Sequence, residues 1–266
     1  MTIQWPAESI WQQVAPSLPN FTVEILPEID STNTELVRRA RAGQTDPILL
    51  VAERQTAGRG RLGRQWQSDL SDGQTTLCFS LGMPLAPPDW SGLSLAVGVA
   101  VAQSLHADIR LKWPNDLWYQ NRKLAGILIE TAAMPGVAGG SASSRYAVVG
   151  VGINIQPPAA PGLNTPPAGL CELLAGIHPP AALQLVAAPL VAAILQFERE
   201  GFAAFQTHFS ALDALRGHAI AASDGSHGTA QGVDNSGALL VHTPQGVQRI
   251  ISSEVSVRPA PVARGA

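Results

Sequence analysis

Residues 55–66 read Gln-Thr-Ala-Gly-Arg-Gly-Arg-Leu-Gly-Arg-Gln-Trp, a run in which glycine and arginine alternate. Glycine allows positive φ and lets a ligand come close to the backbone. Arginine carries a planar, permanently charged fork of donors that matches phosphate or carboxylate. The run therefore indicates a loop that grips an anion. Taken alone, a solvated basic loop explains it equally well.

The charge of the whole chain is not basic. Its 266 residues include 17 Lys and Arg against 20 Asp and Glu, a net charge of −3. No global positive field attracts nucleic acid or anionic lipid. The basic run at 54–64 is a local feature.

The cysteines and the N-terminal residues indicate the cellular compartment of the protein. Cys78 and Cys171 lie in apolar stretches without metal-ligand spacing, which predicts buried free thiols. The first basic residue is Arg38, so the positive region of a signal peptide is absent. Residues 91–107 are taken as the only long uncharged run, and they are too short to span a bilayer. We expect a soluble, cytoplasmic protein without membrane association.

Hydrophobic patterning predicts a mixed α and β chain. Helices are expected at 7–14, about 32–42, 91–107, 181–200 and 202–215. Strands are expected at 21–26, 47–53, 75–83, 109–113, 117–119, 123–130 and 146–155. Thr32 and Glu35 read as a capping box, and Pro189 is expected to break or kink its helix. The strand-turn-strand pattern of 109–130 favours antiparallel pairing.

Composition changes after Gly217, where short β-like segments alternate with Asn/Asp/Gly turns. We predict two domains, a larger one at 1–216 and a β-module at 217–266. The module should contain about five strands and a frayed tail. Loops 69–74 and 135–144 receive no assignment.

Lys112 and Lys123 are the only lysines and fall in one stretch. Lysine is a compact point charge suited to a reacting phosphate or carboxylate, although codon bias alone could leave two lysines. Asp116, between them, could hold Mg²⁺, orient a lysine or be a simple turn residue. Gly150 and Gly152 lie in a strand, which indicates that something approaches its backbone closely. HExxH, GxSxG and Walker A patterns are absent from the sequence.

Five motifs in order resemble those of biotin protein ligases. They are Ser31-Thr32-Asn33; Gln55 with Gly58-Arg59-Gly60-Arg61-x-Gly63-Arg64; Lys112-Trp113-Pro114-Asn115-Asp116; Arg122-Lys123-Leu124-Ala125-Gly126-Ile127; and Gly150-x-Gly152-Ile153-Asn154. The resemblance implies a fold like that of class II aminoacyl-tRNA synthetases, a mixed and largely antiparallel sheet with helices, followed by an SH3-like barrel. It also implies ATP- and Mg²⁺-dependent formation of biotinyl-5′-AMP. Biotin then passes to a lysine of the biotin carboxyl carrier protein of acetyl-CoA carboxylase.

Site residues follow from the same resemblance. Biotin is expected at Ser31, Thr32, Asn33, Gln55, Gly58, Arg59, Gly60, Arg61, Lys123 and Gly126. ATP is expected at Arg61, Arg64, Lys112, Asn115, Lys123 and Asn154. The catalytic set is Lys123, Arg61 and Asp116, with Asp116 also a candidate Mg²⁺ ligand. The aliphatic tail of biotin should lie along 125–127. Either Trp66 or Trp113 could wall the site, or both could be ordinary core.

Alternatives of other kinds stay open at this point. Lipoate or octanoate ligation shares the architecture, but a dithiolane ring does not need the polar set of Ser31, Thr32 and Gln55. A small-ligand or nucleic-acid binding module without catalysis is disfavoured by the net charge. The sequence resembles the monofunctional ligases without an N-terminal DNA-binding domain, so no DNA binding is expected. It does not distinguish a monomer from a homodimer.

Overall fold

A computed structural model describes residues 3–66, 75–134, 144–158, 165–251 and 257–259. Loop 69–74, and loop 135–144 apart from its last residue, lie outside the described residues.

The helices and strands follow the predicted order, with ends displaced by a few residues at most positions. The helices are α1 (Ala7–Val14), α2 (Thr32–Arg41), α3 (Leu93–Leu105), α4 (Pro179–Glu200) and α5 (Gln206–Leu212). Strands of the first sheet are β1 (Thr22–Ile29), β2 (Ile48–Gln55), β3 (Thr76–Leu85), β4 (Arg110–Lys112), β5 (Asp116–Tyr119), β6 (Arg122–Ala132) and β7 (Arg145–Asn154). Strands of the second are β8 (Ala219–Ala222), β9 (His227–Val233), β10 (Leu239–Thr243), β11 (Gly246–Ile250) and β12 (Val257–Pro259). Short 3₁₀ turns occur at Arg61–Gly63, Leu170–Glu172 and Phe202–Phe205. The last of these replaces the first part of the helix predicted at 202–215.

The first sheet has the strand order β1-β2-β3-β7-β6-β5-β4. Only the β1–β2 pair is parallel, and the predicted antiparallel pairing of β4, β5 and β6 is confirmed. β7 therefore lies at the centre, between β3 and β6. Residues that alternate along these three strands point to opposite faces of the sheet.

The two faces of the sheet carry different residues. Odd-numbered residues of β3 and β7, such as Phe79 and Val149, are buried in the main core together with α3 and α4. Even-numbered residues point toward α2, where Tyr146 and Val148 form a smaller cluster with Leu36. The face bearing α2 is only partly covered, which leaves room there for a site.

Helix α4 corrects two predictions. It runs without interruption from Pro179 to Glu200, so the break expected at Pro189 is wrong. Packing against α3 keeps this turn helical despite the bond that proline removes. By length and composition α4 is also apolar enough to cross a membrane. The prediction considered only residues 91–107 as a possible membrane span. The α4 face with Leu183, Leu190 and Ile194 is fully buried in the protein, as expected for a core helix.

The second sheet contains the five predicted strands, in the order β11-β10-β9-β8-β12 and antiparallel throughout. It is attached to the first through Trp113, which is fully buried. The Trp113 indole Nε1 donates to the carbonyl oxygen of Gly237 at 3.0 Å. Gly237 has φ +84 and lies so close to the Gly92 backbone that a Cβ would approach it to 2.9 Å. Trp113 is thus a core residue that joins the two sheets, and not a wall of the site.

We expect Trp113→Phe to lower the free energy of unfolding by about 1–3 kcal/mol, because the buried Gly237 carbonyl loses its donor. Chemical denaturation followed by circular dichroism measures this change. Trp11→Phe is the matched control, since Trp11 is 48% exposed. Equal stability of the two variants would show that this hydrogen bond does not hold the two sheets together.

Candidate functional site

Five small residues lie side by side on the α2 face of the first sheet. Gly126 and Cys78 both pair with Gly152, from opposite sides. Two residues further along β7, Gly150 pairs with Ser80 in the same way. These side chains leave a shallow trough across β6, β7 and β3. A cavity of about 490 Å³ lies above it.

The glycine–arginine loop, residues 58–66, covers this cavity. Its ends are closed by hydrogen bonds from Trp66 N to Gly58 O at 2.9 Å and from Gly60 N to Arg64 O at 2.7 Å. At its tip Leu62 and Gly63 have φ of 56° and 70°. Gly63 thus needs the positive φ that the sequence suggested, while Leu62 adopts it despite its Cβ.

The Trp66 side chain, at the end of the loop, lies in the trough. A Cβ on Gly152 would lie 2.4 Å from Trp66 Cε2, and one on Gly126 would lie 3.2 Å from Trp66 Cζ3. The ammonium of Lys123 lies 5.6 Å from the indole centroid. This confirms that the strand glycines admit a close approach, and the group that approaches Gly152 is the Trp66 ring. Trp66 therefore walls the cavity.

A buried polar network forms one end of the cavity. Gln55 Oε1 accepts from Thr32 N at 2.8 Å and lies 3.2 Å from Thr32 Oγ1. Ser80 Oγ lies 2.7 Å from Thr32 Oγ1 and 2.6 Å from Asn33 Oδ1. A Cβ on Gly150 would come within 2.0 Å of Asn33 Oδ1, so this strand position requires glycine. The network is a rigid set of donors and acceptors that a polar ring could match.

The start of α2 differs from the predicted capping box. Ser31, not Thr32, is the N-cap, and its Oγ accepts from Thr34 N at 3.4 Å. Thr32 is turned toward Gln55, and Glu35 pairs with Arg38 and Arg39 instead. The prediction placed the helix start one residue too late. A hydroxyl that accepts a capping bond can still donate its own proton, so Ser31 can serve both the helix and a ligand.

Asp116 brings the two lysines of the chain together. Its Oδ1 lies 2.7 Å from Lys123 Nζ, and its Oδ2 lies 3.7 Å from Lys112 Nζ. Lys112 is 8% exposed and also lies 5.4 Å from the Trp118 ring centroid. Because both oxygens of Asp116 face ammonium groups, the geometry favours its role of orienting lysines.

The structure offers little for a resident metal. Within the described ranges no group of three His, Cys, Asp or Glu side chains could hold a metal ion. Asp116, committed to two lysines, does not fit as a dedicated Mg²⁺ ligand. Carboxylates that bind this ion usually present free oxygens.

Arg61 extends the positive charge toward the loop. Its Nη1 donates to Asn115 Oδ1 at 3.3 Å, while Asn115 Nδ2 donates to Ile127 O at 2.8 Å. Burial lowers the pKa of Arg61, the Asp116 carboxylate opposes this effect, and nearby Arg64 adds to it. The group stays charged at neutral pH. Crowded cations of this kind are stabilised when an anion arrives between them.

Asn154 closes the cavity at the end of β7. Its Nδ2 donates to Lys123 O and Ala168 O, both at 3.2 Å. It thereby holds the 165–168 segment against β6 beside Lys123.

The structure brings nearly the whole predicted site together. All the predicted site residues except Gly58 line the cavity: Ser31, Thr32, Asn33, Gln55, Arg59, Gly60, Arg61, Arg64, Lys112, Asn115, Asp116, Lys123, Gly126 and Asn154. Gly58 is buried, and a Cβ there would lie 2.5 Å from Trp66 O. Glycine at this position therefore lets the two ends of the loop approach each other, and it does not line the cavity. Sequence reasoning missed Ser80 and Glu130. The signal for Ser80 was a lone hydroxyl inside the apolar run 77–81.

Comparisons with known proteins agree with this arrangement. Residues 25–154 match the Biotin/lipoate A/B protein ligase family, and residues 223–258 match the Biotin protein ligase C terminal domain. The chain is 32% identical over 260 residues to the Bifunctional ligase/repressor BirA of Escherichia coli, covering 94% of this chain and 78% of that protein. It is 33% identical over 244 residues to the Biotin--[acetyl-CoA-carboxylase] ligase of Paracoccus denitrificans, covering 87% and 98%. A solved biotin protein ligase from Aquifex aeolicus, in complex with biotin and ATP, superposes with a TM-score of 0.73 and 27% identity, covering 91% of this chain and 100% of that one.

We expect iodoacetamide at pH 8 to modify Cys171 and to spare Cys78. Burial raises the pKa of the Cys78 thiol to about 12, so its thiolate fraction at pH 8 is about one part in ten thousand. Cys171 is partly exposed. Peptide mass spectrometry measures both, and labelling in denaturant should modify them equally. Rapid modification of Cys78 in the folded protein would mean that the trough is open to solvent.

Proposed function

Because this chain belongs to the biotin/lipoate A/B protein ligase family, we propose that its cavity joins biotin to ATP and passes the biotinyl group to a lysine of a carrier protein. The chain is a ligase, its substrates are biotin and ATP, and its acceptor is the carboxyl carrier protein of acetyl-CoA carboxylase. Mg²⁺ takes part as the complex that it forms with the phosphates of ATP.

The reaction has two steps. In the first, a carboxylate oxygen of biotin attacks the α-phosphorus of ATP, and pyrophosphate leaves. In the second, the neutral amine of the acceptor lysine attacks the acyl carbon of biotinyl-5′-AMP. AMP then leaves, and the amine loses a proton.

The observation that carries this proposal is the cation cluster of Lys123, Lys112 and Arg61 around Asp116 and Asn115. The first step brings two anions into contact, and they repel unless cations lie between them. We assign Lys123 and Arg61 to the carboxylate and the α-phosphate. Lys112 and Arg64 are assigned to the remaining phosphate charge. A preorganised donor of this kind typically contributes about 10²–10³ in rate.

We assign the opposite end of the cavity to the ureido ring of biotin. Ser31, Thr32 and Gln55 would exchange hydrogen bonds with the ring. Asn33 would hold that set in place, because its amide is already bonded to Ser80, Leu128 and Glu130. The aliphatic tail would lie along 125–127, beside the Trp66 ring.

The loop and the end of β7 complete the proposed site. Loop backbone at 58–60 and the side chain of Arg59 would lie over biotin. Asn154 is assigned to the adenine end of the cavity. A closed loop excludes the water that would otherwise hydrolyse the mixed anhydride.

The remaining assignments are proposals of the same kind. We place the domain boundary at 216/217 and propose that the second sheet closes as an SH3-like barrel. The first sheet is proposed to belong to the class II synthetase type. We further propose a cytoplasmic enzyme without DNA or membrane association, as a monomer or a homodimer.

The first test is a calorimetric titration with biotin, followed by an assay of pyrophosphate release with MgATP. We expect biotin to bind at micromolar concentration or tighter, and pyrophosphate to form only when biotin is present. Lys123→Gln should lower the rate of pyrophosphate release about 10²–10³-fold, because it removes one preorganised cation.

Lipoate and octanoate are titrated in parallel as ring controls. Binding of lipoate in preference to biotin would overturn the ureido assignment and leave a sister ligase. Pyrophosphate release without biotin would contradict the proposed order of steps.

Arg61→Ala is expected to release biotinyl-5′-AMP faster than the wild-type protein. The change removes the cation that joins the loop to Asn115 and faces the phosphate. Dissociation of labelled adenylate in a chase experiment measures it. Arg110→Ala is the matched control, since Arg110 Nη1 donates to the backbone carbonyl oxygens of residues 107 and 109 and the side chain does not line the cavity. Equal adenylate dissociation from the two variants would remove Arg61 from the site.

A further inference from the structure

Glu130 lies where the sheet meets the glycine–arginine loop. It is an even-numbered residue of β6 and points toward α2, with its side chain 24% exposed. Its Oε2 accepts from Asn33 Nδ2 at 3.0 Å, and its Oε1 lies 3.3 Å from Arg59 Nη2. The Glu130 carboxylate therefore contacts both the buried polar network at the end of the cavity and the glycine–arginine loop.

The contacts of Glu130 extend a continuous chain of polar groups. The chain runs from Gln55, which accepts from Thr32 N, through the Thr32 hydroxyl, Ser80, Asn33 and Glu130 to Arg59. Its first members form the end of the cavity that we assign to the ring of the substrate. Its last member is a loop residue that also donates to Thr34 Oγ1 at 3.4 Å.

The direction of the hydrogen bonds makes Glu130 necessary to this arrangement. Asn33 spends both of its amide protons on Leu128 O and Glu130 Oε2. Its Oδ1 must then accept, and Ser80 supplies the proton. An acceptor at residue 130 thus fixes the orientation of the Asn33 amide. Only the contact with Arg59 requires residue 130 to carry a negative charge.

We propose that Glu130 is a positioning residue that latches the loop, residues 58–66, onto the sheet through Arg59. It couples the network at the ring end of the cavity to closure over the adenylate. The inference rests on the proposed function, because the loop is taken to cover biotinyl-5′-AMP.

The strength of the contact suits a reversible latch. The Arg59 side chain is 52% exposed, and ion pairs of this exposure contribute little to folding. Breaking the pair should therefore change the lifetime of the closed loop without unfolding the protein. A buried ion pair would be stronger and would keep the loop closed over biotinyl-5′-AMP.

Glu130→Gln isolates the latch. Glutamine keeps an oxygen for Asn33 Nδ2 and replaces the charge that faces Arg59 with a neutral group. We expect about threefold to fivefold faster dissociation of biotinyl-5′-AMP, the factor equivalent to a partly exposed ion pair. Trypsin should also cut the adenylate-bound variant faster after the loop arginines.

Glu28→Gln is the matched control. Glu28 pairs with Arg54 at 2.9 Å on the neighbouring strands, and both side chains are about half exposed. Glu28→Gln removes the same kind of charge from an ion pair that lies outside the loop, residues 58–66. Its adenylate dissociation and trypsin cleavage should match those of the wild-type protein.

A double-mutant cycle with Arg59→Gln tests the partner. If Glu130 acts through Arg59, adding Glu130→Gln to Arg59→Gln accelerates dissociation no further. Additive effects of the two changes would overturn the latch. So would adenylate dissociation and trypsin cleavage of Glu130→Gln equal to those of Glu28→Gln.

Failure of the proposed function gives a different result from failure of the latch. If the proposed function is wrong, the wild-type protein does not form biotinyl-5′-AMP, and this is seen before any variant is compared. A wild-type protein that forms the adenylate, with an unaltered Glu130→Gln, would overturn the latch alone.

Discussion

The site depends on one steric constraint, the absence of a Cβ at Gly150 and Gly152 on the α2 face of β7. At Gly150 the missing Cβ makes room for the Asn33 amide, and at Gly152 it makes room for the Trp66 ring. Asn33 is the first turn of α2 and Trp66 is the end of the glycine–arginine loop. Two glycines on one strand thus set how closely both walls of the cavity approach the floor. A Cβ at either position would lie 2.0 Å from Asn33 Oδ1 or 2.4 Å from Trp66 Cε2, so a wall of the cavity would have to shift.

Most of the fold could be read from the sequence because its signals were local. Strand and turn signals and the apolar run at 91–107 gave the order of the helices and strands, and the turn-rich segments after Gly217 gave the strands of the second sheet. The cap of α2 was placed one residue too late, because Thr32 and Glu35 have the spacing of a capping box although Ser31 is the residue that caps the helix. The unbroken α4 could not be foreseen, because tertiary packing against α3 outweighs the cost of Pro189.

The candidate site was predicted residue by residue through its motifs, but its connections were not. That Asp116 contacts both lysines depends on the pairing of β4, β5 and β6, which brings residues 112 and 123 to one carboxylate. Ser80 and Glu130 carry no motif of their own. Their importance comes from neighbours 47 and 97 residues away in the chain, and a linear pattern does not contain such partners.

The contact between Trp113 and Gly237 has a consequence for synthesis on the ribosome. These residues are 124 positions apart, and Trp113 is the immediate neighbour of Lys112. The nascent chain therefore exposes the lysine pair long before the turn that buries Trp113 has been translated. The residue next to Lys112 thus reaches its folded environment only after the segment that carries Gly237 has been translated, at residue 237 of 266.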